Sequence, residues 1–152
     1  MSLGFGSVLL RLAAAVGVGA LIGLDRELRR KPAGLRTLAL VALGSAVFII
    51  ETIDTTRGVY TDATSRVIQG IVTGVGFLGA GSIMRSADEE SVRGLTTAAS
   101  IWLAAAAGIA CGLANWPLVL VGGALGVLVL VITPVERVIH NRRRTDVKNE
   151  PQ

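Results

Sequence analysis

Two carboxylates and a group of basic residues share one short polar segment, GLDRELRRKPAGLRT (residues 23–37). Asp25 and Glu27 are the residue type that holds a partly hydrated Mg²⁺, which needs only one or two protein carboxylates. The neighbouring cations are Arg26, Arg29, Arg30, Lys31 and Arg36. Because these cations neutralise the carboxylates and repel a metal ion, the composition favours a network of salt bridges. Asp25 and Glu27 are therefore weak metal candidates.

Arg11 is a second candidate, because it interrupts an otherwise apolar run at residues 3–24. An arginine at the centre of a membrane-spanning helix costs about 2.5–3.5 kcal/mol, and such residues usually face the bundle or a wet cavity. Glu51 is the candidate partner. The alternative is that Arg11 extends outward to the membrane surface and that the span begins later in the chain.

Hydroxyl side chains form a third group, with Thr97 and Ser100 opening the apolar segment 95–113 and Thr73 in the segment before it. Such hydroxyls cap a helix or bond back to its preceding turn, or they line a polar cavity, and the sequence leaves both open. The single histidine and the single cysteine lie far apart. Without a metal-binding cluster or a nucleophile–base pair, we expect no enzyme and no bound cofactor, with Mg²⁺ retained only as an effector or substrate.

The composition is typical of a membrane protein. Of 152 residues, 51% are hydrophobic and 17% are charged, whereas soluble domains carry about 25% charged residues. The formal net charge is +4, but the basic residues lie at the ends of apolar segments without interleaved aromatic residues. This distribution argues against nucleic acid as a partner.

One run, VIQGIVTGVGFLGAGSIM (residues 67–84), holds no charge over 18 residues. That length suits a membrane-spanning helix, which needs about 20 apolar residues. Four further apolar segments reach membrane length, at about residues 3–24, 36–53, 95–113 and 116–135. The sequence thus predicts an all-α, polytopic bundle of about five transmembrane helices over residues 1–135, in contact with the lipid bilayer.

Basic residues alternate between the connections. They are dense after the first and fifth predicted spans, recur after the third, and are missing between the fourth and fifth. Since lysine and arginine mark the cytoplasmic side, we expect the N-terminus outside and the C-terminus in the cytoplasm. Residues 136–152 then form a basic cytoplasmic tail, and its polarity predicts disorder beyond residue 143.

Glycines recur at four-residue spacing in most of the predicted spans. The pairs are Gly19/Gly23, Gly70/Gly74, Gly108/Gly112 and Gly122/Gly126. Small residues at this spacing let membrane helices approach closely, so we expect tight packing throughout the bundle and a homodimer or higher oligomer. Gly74, Gly76 and Gly79 also spell the dinucleotide fingerprint, but the surrounding apolar run argues against a phosphate-binding loop.

Three blocks of sequence resemble the MgtC/SapB family of bacterial inner-membrane proteins. The blocks are GALIGLDRELRRKPAGLRT (19–37), RVIQGIVTGVGFLGAGSIMR (66–85) and VRGLTTAASIWLAAAAGIACGL (92–113). The resemblance implies a multi-pass helical protein of the bacterial inner membrane with a cytoplasmic C-terminus. The motif residues carried over are Asp25, Arg26, Glu27, Gly34, Arg36, Thr37, Gly76, Gly79, Gly81, Arg85, Arg93, Gly94, Thr97 and Trp102.

The resemblance also implies adaptation to magnesium limitation, an association with virulence in some members, and restraint of the F-type ATP synthase in others. Two departures matter. Many members carry a soluble C-terminal domain where this sequence has a short basic tail, so the resemblance does not extend to a role that depends on that domain. Some members have cysteine directly after the tryptophan of the fourth span, where this chain has the equally apolar Leu103.

Two functional hypotheses follow. The first is a regulatory or adaptor protein that acts through helix contacts with a larger membrane complex. The alternative is a transporter or channel for Mg²⁺ or another small solute, favoured by glycine-interrupted helices. The two differ in one expectation: a transporter should bring Arg11, Thr73, Thr97 and Ser100 to one water-filled space, and an adaptor should pack them apart.

Overall fold

The computed structural model describes residues 3–55, 62–85 and 92–148, with the side chains of residues 3–53, 62–83 and 93–132. The elements are α1 (Phe5–Leu28), α2 (Leu35–Thr55), α3 (Asp62–Gly81), β1 (Met84–Arg85), β2 (Val92–Arg93), α4 (Leu95–Gly112) and α5 (Trp116–Lys148). The two short strands pair antiparallel, with Met84 opposite Arg93. The prediction of an all-α helix bundle is confirmed, apart from this two-residue pairing.

Within the part of the chain that the structure describes, three helices are long and apolar enough to cross a membrane: α1, residues Leu35–Ile53 of α2, and α4. The apolar helix Trp116–Ile132, the first part of α5, is shorter. Helix α3 departs most from the sequence prediction, because it starts at the polar residue Asp62 and ends at Gly81, before the apolar run 67–84 is complete. The five helices that the sequence predicts are thus all present among the described residues, and three of them have the length and apolar composition of a full span.

Helix α5 continues to Lys148 and passes through the predicted boundary between bundle and tail at residues 135 and 136. The backbone is helical up to Lys148, and the partial disorder of the basic tail stays a prediction. Arginine, lysine and glutamate are good helix formers, and extending a helix already nucleated by an apolar segment is easier than starting one. Residues 149–152 lie outside the described part of the chain, and the orientation of the termini stays a prediction.

Large apolar side chains cover the outer surface of the bundle. Phe5, Phe77 and Leu120 are 83%, 81% and 71% exposed, respectively. A soluble protein rarely exposes contiguous apolar surface of this extent, whereas lipid is the natural solvent for it. Together with the three apolar helices, this surface identifies a membrane protein.

Helix α2 lies between α1 and α4, and glycines on both neighbours press against it at Ala42. A β-carbon on Gly19 of α1 would lie 2.6 Å from the carbonyl oxygen of Leu38 and 2.9 Å from the β-carbon of Ala42. A β-carbon on Gly108 of α4 would overlap the carbonyl oxygen of Ala42. Because Gly19 and Gly108 have no side chain, the backbones of α1 and α4 can both approach the backbone of α2 this closely.

The second glycine of each pair packs in the same way. A β-carbon on Gly23 would lie 2.5 Å from the Cα atom of Leu35, and one on Gly112 would lie 2.8 Å from the β-carbon of Ile49. Both distances are too short for a side chain. Both glycines of the pair on α1 and both of the pair on α4 therefore pack against α2.

The remaining glycine pairs differ from the prediction of tight packing throughout. Gly126 of α5 faces the side chain of Leu103, whose methyl groups fill the space that a β-carbon would need. Gly70, Gly74 and Gly122 face open space, with nothing within 4 Å of a built β-carbon. The closest approach of helix backbones is therefore between α1, α2 and α4, while α3 leaves Gly70 and Gly74 on an open surface.

Candidate functional site

Arg26, near the end of α1, organises the connection to α2. The side chain is 3% exposed. Its Nε donates to the carbonyl oxygens of Pro32 and Ala33, both at 3.2 Å, and Nη2 donates to Pro32 at 2.8 Å. The connection reaches these positions through two left-handed residues, Arg30 (φ 52°) and Ala33 (φ 54°). One guanidinium group thus holds the whole turn against the end of α1.

The same guanidinium also binds α4. Nη1 donates to the hydroxyl of Ser100 at 3.3 Å, and Nη2 donates to the hydroxyl of Thr97. Thr97 and Ser100 are 3% and 2% exposed, and Ser100 donates in turn to the carbonyl oxygen of Thr96 at 2.7 Å. A buried charge is tolerated only when it is fully hydrogen-bonded. The arrangement is therefore an anchor that ties α1, the α1–α2 connection and the first turns of α4 together.

The two carboxylates beside Arg26 serve separate contacts. Asp25 accepts from Nε of Arg29 at 2.7 Å, and Glu27 accepts from the backbone N–H of Leu35 at 3.2 Å, at the start of α2. A β-carbon on Gly34 would overlap Oε2 of Glu27. Residues two apart on a helix do not face each other, so the pair does not fit a shared Mg²⁺. Among the described residues, no group of three or more His, Cys, Asp or Glu side chains could hold a metal ion.

Arg11 lies at the other end of α1. Its Nη1 donates to the carbonyl oxygen of Gly112 at 2.7 Å, and its buried Nε has no hydrogen-bond partner. The C-terminus of α4 carries a partial negative charge, which suits an arginine. Arg11 thus binds the C-terminal end of α4, whereas the sequence suggested Glu51 as its partner.

The polar residues that a transporter would gather are separated. Thr97 and Ser100 bind Arg26 at one end of the α1–α4 pair, and Arg11 binds the opposite end. Thr73 is exposed on α3, where it donates to the carbonyl oxygen of its own helix at Gln69, 2.9 Å away. The hydroxyls of Thr97 and Ser100 therefore serve the Arg26 anchor, while the hydroxyl of Thr73 serves its own helix elsewhere in the fold.

An open groove of about 820 Å³ lies between α2 and α3. Its lining on α2 is Arg36, Thr37, Leu40, Val41, Gly44, Ser45 and Phe48, and on α3 Val67, Gly70, Ile71, Gly74, Val75 and Leu78. The hydroxyl of Ser45 is occupied by the carbonyl oxygen of Val41. Arg36 and Thr37 are exposed at one end. The residue types do not reveal this groove, because its two walls belong to different helices whose relative position is not written in either segment.

Residues 12–141 match the sequence profile of the MgtC family. The chain belongs to the MgtC family. It is 49% identical to MgtC of Salmonella typhimurium over 108 residues. The matched segment covers 71% of this chain and 44% of that relative. SrpB of Synechococcus elongatus is 44% identical over 129 residues, or 79% of this chain and 71% of SrpB.

MgtC of Brucella abortus is 46% identical over 101 residues, covering 66% of this chain and 40% of that protein. The chain thus spans less than half the length of these MgtC relatives. No solved structure matches it. The family assignment agrees with the resemblance inferred from the three sequence blocks.

The other motif residues of this MgtC family member lie around the junction of α3 and α4. A β-carbon on Gly79 would be in ordinary contact with Ala98 and with the ring of Trp102, at 3.6 and 3.7 Å, while Gly76 and Gly81 face open space. Trp102 is 43% exposed. The motif therefore combines a buried anchor with an open surface on α3.

Three motif positions lie in or directly after the short strands between α3 and α4. Gly94 takes φ 96°, and a β-carbon there would overlap the carbonyl oxygen of Ser82, so only glycine fits this turn. Arg93 is exposed. The backbone of Arg85 pairs with Val92, and the side chain of Arg85 lies outside the described residues.

Proposed function

We propose that this MgtC family membrane protein is a multi-pass regulatory adaptor of the bacterial inner membrane. It acts through contacts between its helices and those of other membrane proteins during adaptation to magnesium limitation. The observation that carries the proposal is the separation of Arg11, Thr73 and the Arg26 anchor. Arg11 and Arg26 each bind another helix, and Thr73 bonds back to its own helix, so the three do not line a shared path.

The groove between α2 and α3 also argues for an adaptor over a cation transporter. A cation that leaves water needs carboxylates or exposed carbonyl oxygens to replace its hydration shell. Among the described residues that line it there is no acidic side chain, and the charged one is the cation Arg36. An approaching Mg²⁺ would therefore meet a like charge at the mouth and apolar walls beyond it.

The outward face of α3 is the surface proposed for partner contact. Gln69, Thr73 and Phe77 are all exposed and recur every four residues, so they share one side of the helix. Polar side chains in a membrane are usually directed at other helices, which they bind by hydrogen bonds. This outward face of α3 (Gln69, Thr73, Phe77) therefore suits a neighbouring helix better than lipid.

The first experiment separates the adaptor from a transporter. Purified protein, shown to be folded by its elution as one species, is reconstituted into liposomes that contain a fluorescent Mg²⁺ indicator, beside empty liposomes. An adaptor gives the same Mg²⁺ entry as the empty liposomes. Saturable entry that depends on the protein would overturn the proposal and establish transport.

The second experiment tests the outward face of α3. In a strain without its own copy of this protein, growth at low Mg²⁺ is compared after expression of the wild type, Gln69→Leu/Phe77→Ala, and the control Leu120→Ala on α5. The control also removes an exposed apolar side chain. The proposal expects growth to fail only with the α3 variant, together with loss of co-purifying membrane partner. The F-type ATP synthase is the first complex to assay for, as the family resemblance implies.

Equal growth with all three proteins at matched expression would contradict a contact role for this face. Growth lost with Leu120→Ala but kept with the α3 variant would place the contact on α5 instead. Either result leaves the flux measurement to decide independently between adaptor and transporter.

A further inference from the structure

The groove between α2 and α3 has the dimensions of a lipid acyl chain site. Its lining runs from Arg36 to Phe48 on α2 and, antiparallel, from Leu78 to Val67 on α3. Twelve residues of helix at 1.5 Å each make a groove about 18 Å long. One leaflet is about half of the 30 Å hydrocarbon core, so the groove reaches from the membrane surface to beyond its centre.

The walls of the groove are apolar and made wide by glycine. Gly44 on α2 and Gly70 and Gly74 on α3 all line it, and none has a neighbour within 4 Å of a built β-carbon. Leu40 and Phe48 supply exposed apolar surface along the same helix. The volume of about 820 Å³ is within the range of about 300–1,000 Å³ for small-molecule sites.

One end of this groove is cationic. Arg36 and Thr37 are exposed in the first turn of α2, where the helix dipole also favours an anion. Within the described part of the chain, Arg36 makes no side-chain hydrogen bond or ion pair. Arg30 and Lys31, both exposed, lie in the connection just before this end. The nearby carboxylates Asp25 and Glu27 are already bonded to Arg29 and to the N–H of Leu35.

We propose that this groove binds an anionic glycerophospholipid, with its phosphate on Arg36 and the hydroxyl of Thr37 and one acyl chain between α2 and α3. A cationic mouth above a long apolar channel is complementary to an anionic head on an apolar tail. Anionic lipids are concentrated in the cytoplasmic leaflet, the side on which the basic connection is expected. The lipid site goes beyond the adaptor role and is independent of it, since it uses the groove side of α3 and not its outward face.

Native mass spectrometry of the full chain in nonionic detergent tests the site, by titration with phosphatidylglycerol and with phosphatidylcholine of the same acyl chains. The wild type should prefer phosphatidylglycerol by about five-fold, the effect of one basic residue near a lipid headgroup. Arg36→Gln should remove that preference. Arg30→Gln, which removes the same charge outside the groove, should retain it.

Gly74→Leu tests the acyl channel, because its side chain would enter open groove space and leucine is a better helix former than glycine. This variant should weaken binding of both lipids by about ten-fold or more through loss of apolar contact, and Gly44→Leu should reproduce the effect from α2.

Several outcomes would overturn the lipid site. They are equal binding of the two lipids by the wild type, equal losses with Arg36→Gln and Arg30→Gln, and displacement of phosphatidylglycerol by inorganic phosphate. A shift from dimer to monomer in Gly74→Leu with lipid binding unchanged would assign the groove to a second copy of the chain. None of these readouts depends on growth or on partner contact.

Discussion

Arg26 of α1 donates directly to the hydroxyl of Thr97 on α4, and this contact has a counterpart at the opposite end of the same helix pair. There, Arg11 donates to the carbonyl oxygen of Gly112. Arg11 and Arg26 are fifteen residues apart, and so are Thr97 and Gly112. At 1.5 Å per residue the two contacts are about 22 Å apart, so α1 and α4 are fixed in register at both ends.

The two arginine contacts are predicted to differ in strength. Arg26→Met leaves carbonyl and hydroxyl acceptors on two segments without their donor, and we expect a loss of about 3 kcal/mol or more in the free energy of unfolding. Arg11→Met removes one charged hydrogen bond, together with a guanidinium whose Nε is already unpartnered. We therefore expect the free energy of unfolding to fall by about 1.5 kcal/mol or less. Unfolding in mixed micelles with rising denaturing detergent measures both.

Arg29→Met is the control for the Arg26 prediction. Arg29 forms an exposed ion pair with Asp25, and such pairs contribute about 0–1 kcal/mol. If Arg26→Met costs no more than Arg29→Met, the buried anchor does not hold the bundle together.

Glycine contacts give a second prediction. In Gly108→Ala the new β-carbon would overlap the carbonyl oxygen of Ala42, a backbone atom that moves only with its helix. We expect a loss of about 1–3 kcal/mol, the usual cost of overpacking. Gly74→Ala, which faces open groove space, should be neutral or stabilising by up to about 1 kcal/mol. Thermal unfolding of both variants in the same detergent makes the comparison, and equal losses would contradict it.

The sequence predicts much of this fold, because lipid imposes a simple pattern. Long apolar runs locate α1, α2 and α4, and glycine spacing marks the faces of α1 and α4 that pack against Ala42. The same spacing on Gly70 and Gly74 leads to an open surface, since a glycine pair permits close approach but does not supply the neighbour.

The site is less accessible to sequence reasoning. Arg26 is recognisable as a motif residue, but its acceptors at Pro32 and Ala33 are backbone oxygens, which every residue possesses. Their position depends on the left-handed turn of the connection. The hydrogen bond from Arg11 to Gly112 could not be predicted from the sequence for the same reason, because its acceptor is a backbone carbonyl oxygen at a helix end.

Coupling between Gly34 and Glu27 gives a third prediction. A β-carbon at residue 34 would displace the Glu27 carboxylate, which then loses the N–H of Leu35. Gly34→Ala should therefore cost about 0.5–2 kcal/mol, the effect of losing an N-terminal cap. In a Glu27→Ala background the same substitution should cost almost nothing. A double-mutant cycle measures the difference, and strictly additive effects would show that the two residues do not interact.

Membrane orientation gives the fourth prediction. The connection that holds Arg30 is basic and the one that holds Asn115 has no basic residue, so the positive-inside rule places them on opposite sides. We expect Asn115→Cys to react with a membrane-impermeant maleimide in intact cells and Arg30→Cys to react only after permeabilisation. The unsubstituted chain is the control, because Cys111 is fully buried and should stay unlabelled. The reverse labelling pattern would show the opposite orientation of the bundle in the membrane, and would place Arg36 in the outer leaflet.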